Sequence, residues 1–215
     1  MLILTIPPPC TPAQIPLTSA SSKPHSLSRI LYNIDQIIRP EPEERAALER
    51  VLRPRTLHKN ELFLREGEVC RKIAFIEQGS VRVYYEVDGK EICKDFLFEN
   101  AVAGSFASFF SQMPSALNVA AMEETQLLEL SYEDVMHLYE HYPSWQKLGR
   151  IIAQDQFVRA ERREASLLKD PPEVRFRNLI EEHPKLFKRV PLQYIASYLG
   201  ITPETLSRYR SRVKR

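Results

Sequence analysis

The residues that decide the fold lie near the end of the chain, at positions 192–213, and read LQYIASYLGITPETLSRYRSRV. Apolar residues at helical spacing predict two short helices in this stretch. Ala196 is small enough to let the helices cross closely, and Gly200 stands where the turn between them needs a positive φ. Thr202 is a favourable N-cap residue for the second helix, and Pro203 fits its first turn. This pattern is typical of a helix-turn-helix.

The second predicted helix carries polar and basic side chains on the face opposite its apolar residues. Arg208 could donate two hydrogen bonds to a guanine, and Glu204 could accept one from a cytosine amine, so both are candidate base-reading residues. The candidate contacts to DNA phosphates and backbone are Thr202, Thr205, Ser207, Arg210, Ser211, Arg212 and Lys214. We therefore expect this end of the chain to bind double-stranded DNA.

Charge is distributed unevenly along the chain. Residues 171–215 contain ten Lys/Arg and four Asp/Glu, whereas all other residues contain twenty and twenty-four. A basic end on a mildly acidic body favours a polyanionic partner for that end. A solvated basic tail would show the same asymmetry, so the helix-turn-helix pattern carries the DNA-binding hypothesis.

Residues 57–130 have the pattern of a small antiparallel β-structure. Turn residues recur about every ten positions between short apolar runs. In one such run the alternate residues that should line one face are Val81, Val83, Tyr85 and Val87. Asp88-Gly89 follows this run and predicts a hairpin turn. Many short strands with regular turns predict a β-roll.

Helical patterns flank the predicted roll. Ser131 with Asp134 forms a capping box, and a long helix should run from about Ser144, after Pro143, to Leu168. Its apolar stripe indicates a helix that pairs with its twin in a dimer, through Trp145, Leu148 and Ile152. The alternative for this stripe is packing against its own domain.

These patterns predict an α+β protein in four segments. They are a disordered tail at 1–26, rich in Pro, Ser and Thr, a β-roll domain at 27–142, a dimerisation helix at 143–169, and a helix-turn-helix domain at 170–215. The adjacent prolines at 171 and 172 end the long helix and mark a hinge.

From about Leu27 onward the chain resembles the Crp/Fnr family of bacterial regulators. The resemblance rests on LFLREGE at 62–68, FIEQGSVR at 75–82 and the helix-turn-helix, where TLSR at 205–208 is similar to the family's recognition helix. It implies a cyclic-nucleotide-binding-type β-roll (a double-stranded β-helix), a long dimerisation helix and a C-terminal winged helix-turn-helix. It further implies a homodimeric transcription regulator that is not an enzyme, with RNA polymerase as a further candidate partner, and places Glu204 and Arg208 on base-reading positions.

The family's ligand cassette is not matched here. Members that bind cyclic AMP carry a Gly-Glu pair followed by an Arg-Ser, whereas this chain has no Arg or Lys between Asp95 and Glu129. A buried cyclic phosphate without a cation would carry a large desolvation cost, so we expect no cyclic nucleotide cofactor. The candidates for lining a pocket for another effector are Gly104, Ser105 and Ser115.

Other classes of function find little support in the sequence. The three cysteines, Cys10, Cys70 and Cys93, are too scattered for a metal cluster and fit a reducing cytoplasm. No apolar stretch is long enough to cross a membrane, and His137 with His141 lacks a third metal ligand. The alternative function is a small-molecule or protein-interaction module whose terminal helices have lost DNA binding.

Overall fold

The computed structural model describes residues 27–184 and 186–213, without the side chains of Leu27, Ser28 and Val213. The predicted tail at 1–26 and the candidate phosphate contact Lys214 therefore lie outside the described residues.

The described chain forms helices, then strands, then helices. Two helices come first, α1 (Leu27–Ile38) and α2 (Pro42–Val51). The roll follows as β1 (Arg53–Leu57), β2 (Leu62–Leu64), β3 (Lys72–Gln78), β4 (Val81–Val87), β5 (Lys90–Leu97), β6 (Val102–Ala103), α3 (Phe106–Ser111), β7 (Asn118–Ala121) and β8 (Thr125–Ser131). The last helices are α4 (Tyr132–His141), α5 (Pro143–Lys169), α6 (Pro172–Glu182), α7 (Leu186–Arg189), α8 (Leu192–Leu199) and α9 (Pro203–Val213).

The strands build two antiparallel four-stranded sheets, with strand orders β1-β8-β3-β6 and β2-β7-β4-β5. Their core includes Leu57, Ile76, Val81, Val119 and Leu127, each at most 1% exposed. The predicted α+β class with an antiparallel roll is confirmed. The hairpin turn lies at Asp88 and Gly89, whose φ angles of 51° and 70° suit the twist of a two-residue hairpin.

The strand β4 departs from simple alternation. Val81 and Val83 are buried as predicted, but Tyr85 and Val87 are 37% and 48% exposed. The hairpin extends past the core there, so its tip has no apolar layer to face. Near the start of the strand Arg82 is also buried, at 4% exposure, because the C-terminal helices cover the outer face of this sheet.

The helix α5 begins at Pro143, and its first turns belong to the core of the roll. Trp145 and Leu148 are 3% and 5% exposed, and the Trp145 indole N–H donates to the carbonyl of Glu44 at 3.0 Å. Ile152 is partly buried against the same core. The prediction that Trp145 and Leu148 face a second copy is therefore wrong, because the roll and α2 use these side chains to close their own core.

The second part of α5 is different, because its apolar side chains face outward. Phe157, Val158 and Leu168 are 69%, 41% and 78% exposed. A shallow groove on this surface is lined by Arg150, Ala153, Gln154, Phe157 and Val158. Sequence periodicity predicted the helix, but it placed the exposed apolar surface in the first turns of α5 rather than in the second part of the helix.

The C-terminal helices α6–α9 share a second core with the roll. Phe176, Ile195, Leu199 and Leu206 are each at most 2% exposed, and they belong to one apolar cluster with residues of β4, β5 and β7. Within 170–184 and 186–213 the structure has helices and connecting segments only, so the wing strands that the resemblance implies are not among the described residues.

Candidate nucleic-acid interface

The turn between α8 and α9 has the geometry that the sequence predicts. Gly200 adopts φ 66°, and its N–H donates to the carbonyls of Ala196 and Ser197. The N–H of Ile201 also donates to the Ala196 carbonyl, at 3.0 Å. These bonds satisfy the last carbonyls of α8 and turn the chain sharply into the next helix.

The start of α9 is capped by its own sequence. The Thr202 hydroxyl accepts a hydrogen bond from the N–H of Thr205 at 3.3 Å, and Pro203 occupies the first helical position. Leu206 is fully buried, so the opposite face of the helix must point outward. The local sequence thus fixes where the helix begins and which face it presents.

The outward face of α9 carries most of the candidate DNA contacts. It presents the exposed residues Glu204, Ser207, Arg208, Ser211 and Arg212, which lie on one side at 3.6 residues per turn. Thr205 is half-buried, with its hydroxyl 3.2 Å from that of Thr202. The Ser211 hydroxyl donates to the Arg208 carbonyl at 2.8 Å.

Arg210 is not part of this face. It is half-buried, and its guanidinium lies 6.0 Å from the centre of the Phe187 ring on α7. Two residues after Arg208, the helix has turned its side chain to the other side. Its expected contact with DNA is therefore not supported by its position.

Glu204 is held in its ionised form at the start of α9. Hydrogen bonds from its own backbone N–H and from the Thr202 hydroxyl lower the pKa of this exposed carboxyl. A carboxylate accepts hydrogen bonds only, which is the role that a contact with a cytosine amine requires.

Arg175 of α6 joins the turn to the hinge after α5, and sequence reasoning missed it. Its Nε and Nη2 donate to the carbonyl of Leu199 at 3.2 and 2.8 Å, and its Nη1 donates to the carbonyl of Asp170 at 2.6 Å. One side chain thereby links the ends of α5 and α8. No local pattern predicts the bonds to Leu199, because this carbonyl lies 24 residues away along the chain.

The candidate pocket residues of the roll are buried and already engaged. The Ser115 hydroxyl accepts from the N–H of Leu117 at 3.1 Å and donates to its carbonyl. The N–H of Ser105 donates to the Cys70 sulfur at 3.5 Å, and a side chain at Gly104 would meet Ile73 at 3.0 Å. These groups complete the fold around β6 and α3.

The residues around Gly104, Ser105 and Ser115 do not fit a cyclic nucleotide. Residues 96–128 contain no Lys or Arg. The buried Arg82 belongs to the β2-β7-β4-β5 sheet and is paired with Glu91 on the outer face of that sheet. A phosphate placed beside these residues would find no cationic partner on the segment 96–128.

The other candidate constellations have ordinary structural roles. The rings of His137 and His141 lie 4.1 Å apart, but the described residues hold no group of three His, Cys, Asp or Glu that could bind a metal ion. Cys70 and Cys93 are buried free thiols, and burial raises the pKa of both. No helix among the described residues has the length and apolar character needed to cross a membrane.

Comparison with known proteins supports the fold described above. Residues 54–142 match the cyclic nucleotide-binding domain family, while a search of curated proteins gives no match. FixK2 from Bradyrhizobium japonicum is similar in structure with a TM-score of 0.68 and 19% identity, covering 76% of this chain and 85% of its own.

Two further solved structures show the same architecture. The c-di-GMP responsive global regulator CLP of Xanthomonas campestris has a TM-score of 0.66 and 16% identity, covering 81% of this chain and 92% of its own. The Thermus thermophilus catabolite activator protein has a TM-score of 0.52 and 21% identity, covering 84% and 86%.

The fold thus combines a β-roll with C-terminal helices that contain a helix-turn-helix. Residues 54–142 form a cyclic nucleotide-binding-type domain, and over most of its length the chain has the fold of the Crp/Fnr regulators.

Proposed function

We propose that this protein is a homodimeric, sequence-specific DNA-binding transcription regulator whose roll does not bind cyclic nucleotides. The observation that carries the proposal is the outward face of α9, where Glu204 and Arg208 are exposed one turn apart while Leu206, on the opposite side of the helix, is fully buried. A rigid helix with a polar, partly basic face is the form in which such proteins enter the major groove.

The dimer is assigned to the second part of α5. Phe157 and Val158 form an exposed apolar surface with Ala153, and a surface of this kind on a long helix pairs with a second copy. The family resemblance supports the same arrangement. The two recognition helices would then meet half-sites about 34 Å apart, one turn of DNA.

Selection from a pool of random duplexes tests this proposal. At about 0.15 M salt we expect enrichment of a two-fold symmetric motif, because phosphate contacts alone do not distinguish sequences. Weak binding without enrichment, which also persists in the presence of small molecules from a cell extract, would contradict sequence-specific recognition. It would instead favour a module that has lost DNA binding.

A further inference from the structure

The outer face of the β2-β7-β4-β5 sheet is built to be covered. Tyr84, Phe96, Phe98 and Met122 are at most 7% exposed and pack in one cluster with the helices α6–α9. The outer face of an antiparallel roll normally meets water and is polar. Here it is apolar, so the docking of the C-terminal helices is part of the fold.

A single hydroxyl on α8 fixes the position of that helix along β5. This strand is the edge of its sheet, and edge strands present free N–H and C=O groups. The Ser197 hydroxyl donates to the Glu91 carbonyl at 2.7 Å and accepts from the Cys93 N–H at 2.9 Å. Because it satisfies a donor and an acceptor two residues apart, a shift of α8 along the strand would break both bonds.

A buried arginine fixes the rotation of the same helix. Arg82 donates two hydrogen bonds to Glu91, each at 2.9 Å. Its guanidinium lies 5.0 Å from the centre of the Tyr84 ring and 4.6 Å from that of Tyr194 on α8. A planar guanidinium held by a carboxylate and two rings tolerates little rotation of either partner.

A third connection lies at the opposite edge of the docked surface. Arg189 of α7 donates to the carboxylate of Glu99 at 2.6 and 2.9 Å and to that of Glu123 at 2.7 Å. It also donates to the carbonyl of Gly79 at 3.3 Å. The hydrogen bonds of Ser197 and Arg189 and the cation–π contact of Arg82 with Tyr194 lie at separate places around an apolar centre and hold the helix-turn-helix in one orientation on the roll.

We propose that Ser197 is a positioning residue that, with support from Arg82 and Arg189, sets the distance between the two recognition helices of the dimer. This inference rests on the proposed function. When the helix-turn-helix is locked to the roll, binding of one half-site places the second helix at a fixed distance and raises its effective concentration at a matching half-site. When these contacts between the helix-turn-helix and the roll are weakened, each recognition helix still reads its half-site, but the distance between the two helices is no longer fixed.

The variant Ser197→Ala removes the hydrogen bonds between α8 and β5, and Ser108→Ala is its matched control. The Ser108 hydroxyl likewise joins a backbone N–H to a carbonyl, those of Cys70 and Met113, but entirely within the roll. Both variants should lose stability in urea unfolding, since each leaves a backbone N–H and a carbonyl without their hydroxyl partner. Only Ser197→Ala should change how DNA is bound.

Three measurements on the full chain define the outcome. In selection from duplexes with variable spacers between half-sites, wild type and Ser108→Ala should prefer one spacer, and Ser197→Ala should accept several. Its affinity for the complete site should fall about tenfold, while its affinity for an isolated half-site stays within about twofold of wild type. Arg189→Gln, a more exposed connection, should shift spacer preference in the same direction by less.

Motif selection by the wild-type chain tests the proposed function, and the spacer preference of Ser197→Ala tests the positioning role. A wild-type chain that selects no motif would remove the proposed function itself. A wild-type chain that selects a symmetric motif, with a Ser197→Ala variant that keeps its spacer preference and its affinity for the complete site, would overturn only the positioning role. Tighter binding by Ser197→Ala would also overturn it, because docking would then oppose DNA binding.

Discussion

The helices α8 and α9 are neighbours across one glycine turn, yet they face different surroundings. On α8, Ile195, Ala196 and Leu199 are at most 1% exposed, and Ser197 is bonded to the edge of the roll. On α9, Leu206 is buried, and the other residues from Pro203 to Arg212 are exposed or half-buried. The contrast indicates a division of roles in which α8 determines where the unit sits and α9 determines what it contacts.

The most severe way to break this contrast is to remove the residue that joins the two helices. Leu206→Ala should lower the free energy of unfolding by about 2–5 kcal/mol, because it leaves a cavity in a fully buried site. DNA binding should be lost together with the fold of the C-terminal helices. Urea unfolding measures the change, and Leu168→Ala, at a residue that is 78% exposed, is the control that should change little.

A smaller change removes base reading and keeps the fold. Arg208→Ala should weaken binding to the selected site by about 1–3 kcal/mol and relax base choice at one position. Arg212→Ala is the matched control on the same face, and it should weaken selected and random duplexes alike by removing a phosphate contact. If Arg208→Ala causes an equal loss on both duplexes, Arg208 does not read bases.

The proposed roles of α8 and α9 depend on a dimer. A charge on the outward part of α5 should disrupt that dimer. Phe157→Asp would place two carboxylates against each other in an apolar seam, and we expect the dimer dissociation constant to rise by at least about tenfold. Sedimentation velocity measures it. Tyr32→Asp, at a residue of α1 that is 61% exposed, should leave assembly unchanged, and an unaltered dimer in Phe157→Asp would exclude this seam.

The smallest expected effect concerns the buried surface between α8 and β5. Burial raises the pKa of the Cys93 thiol from 9.0 to about 11, so the folded state holds this proton longer than the unfolded state. The stability that results is complete below pH 9 and is lost as pH rises toward 11, by about 1 kcal/mol at pH 10.

Urea unfolding at about pH 8 and about pH 10 measures this loss. The decline should be smaller in Cys93→Ala than in wild type, because the variant lacks the thiol while every other titrating group is shared. Identical declines would show that Cys93 ionises equally in both states.

Which residues could be predicted from the sequence depended on how local their environment is. The turn at Gly200, the Thr202 cap and the box formed by Ser131 and Asp134 all depend on atoms within a few residues of each other. Trp145 was assigned to the wrong surface because the helical period shows that a stripe exists but not which partner covers it.

The sequence by itself determined the kinds of structure and the chemistry of the exposed helix: an antiparallel roll, a long helix, and a capped helix with Glu204 and Arg208 on its outer side. These features follow from backbone preferences and side-chain periods that neighbouring residues set. Only the tertiary structure decided that α5 is buried at its start and open later, and that Ser197 bonds a strand edge 106 residues away. Such contacts join groups whose separation along the chain carries no local signal, so they become visible only when the chain is folded.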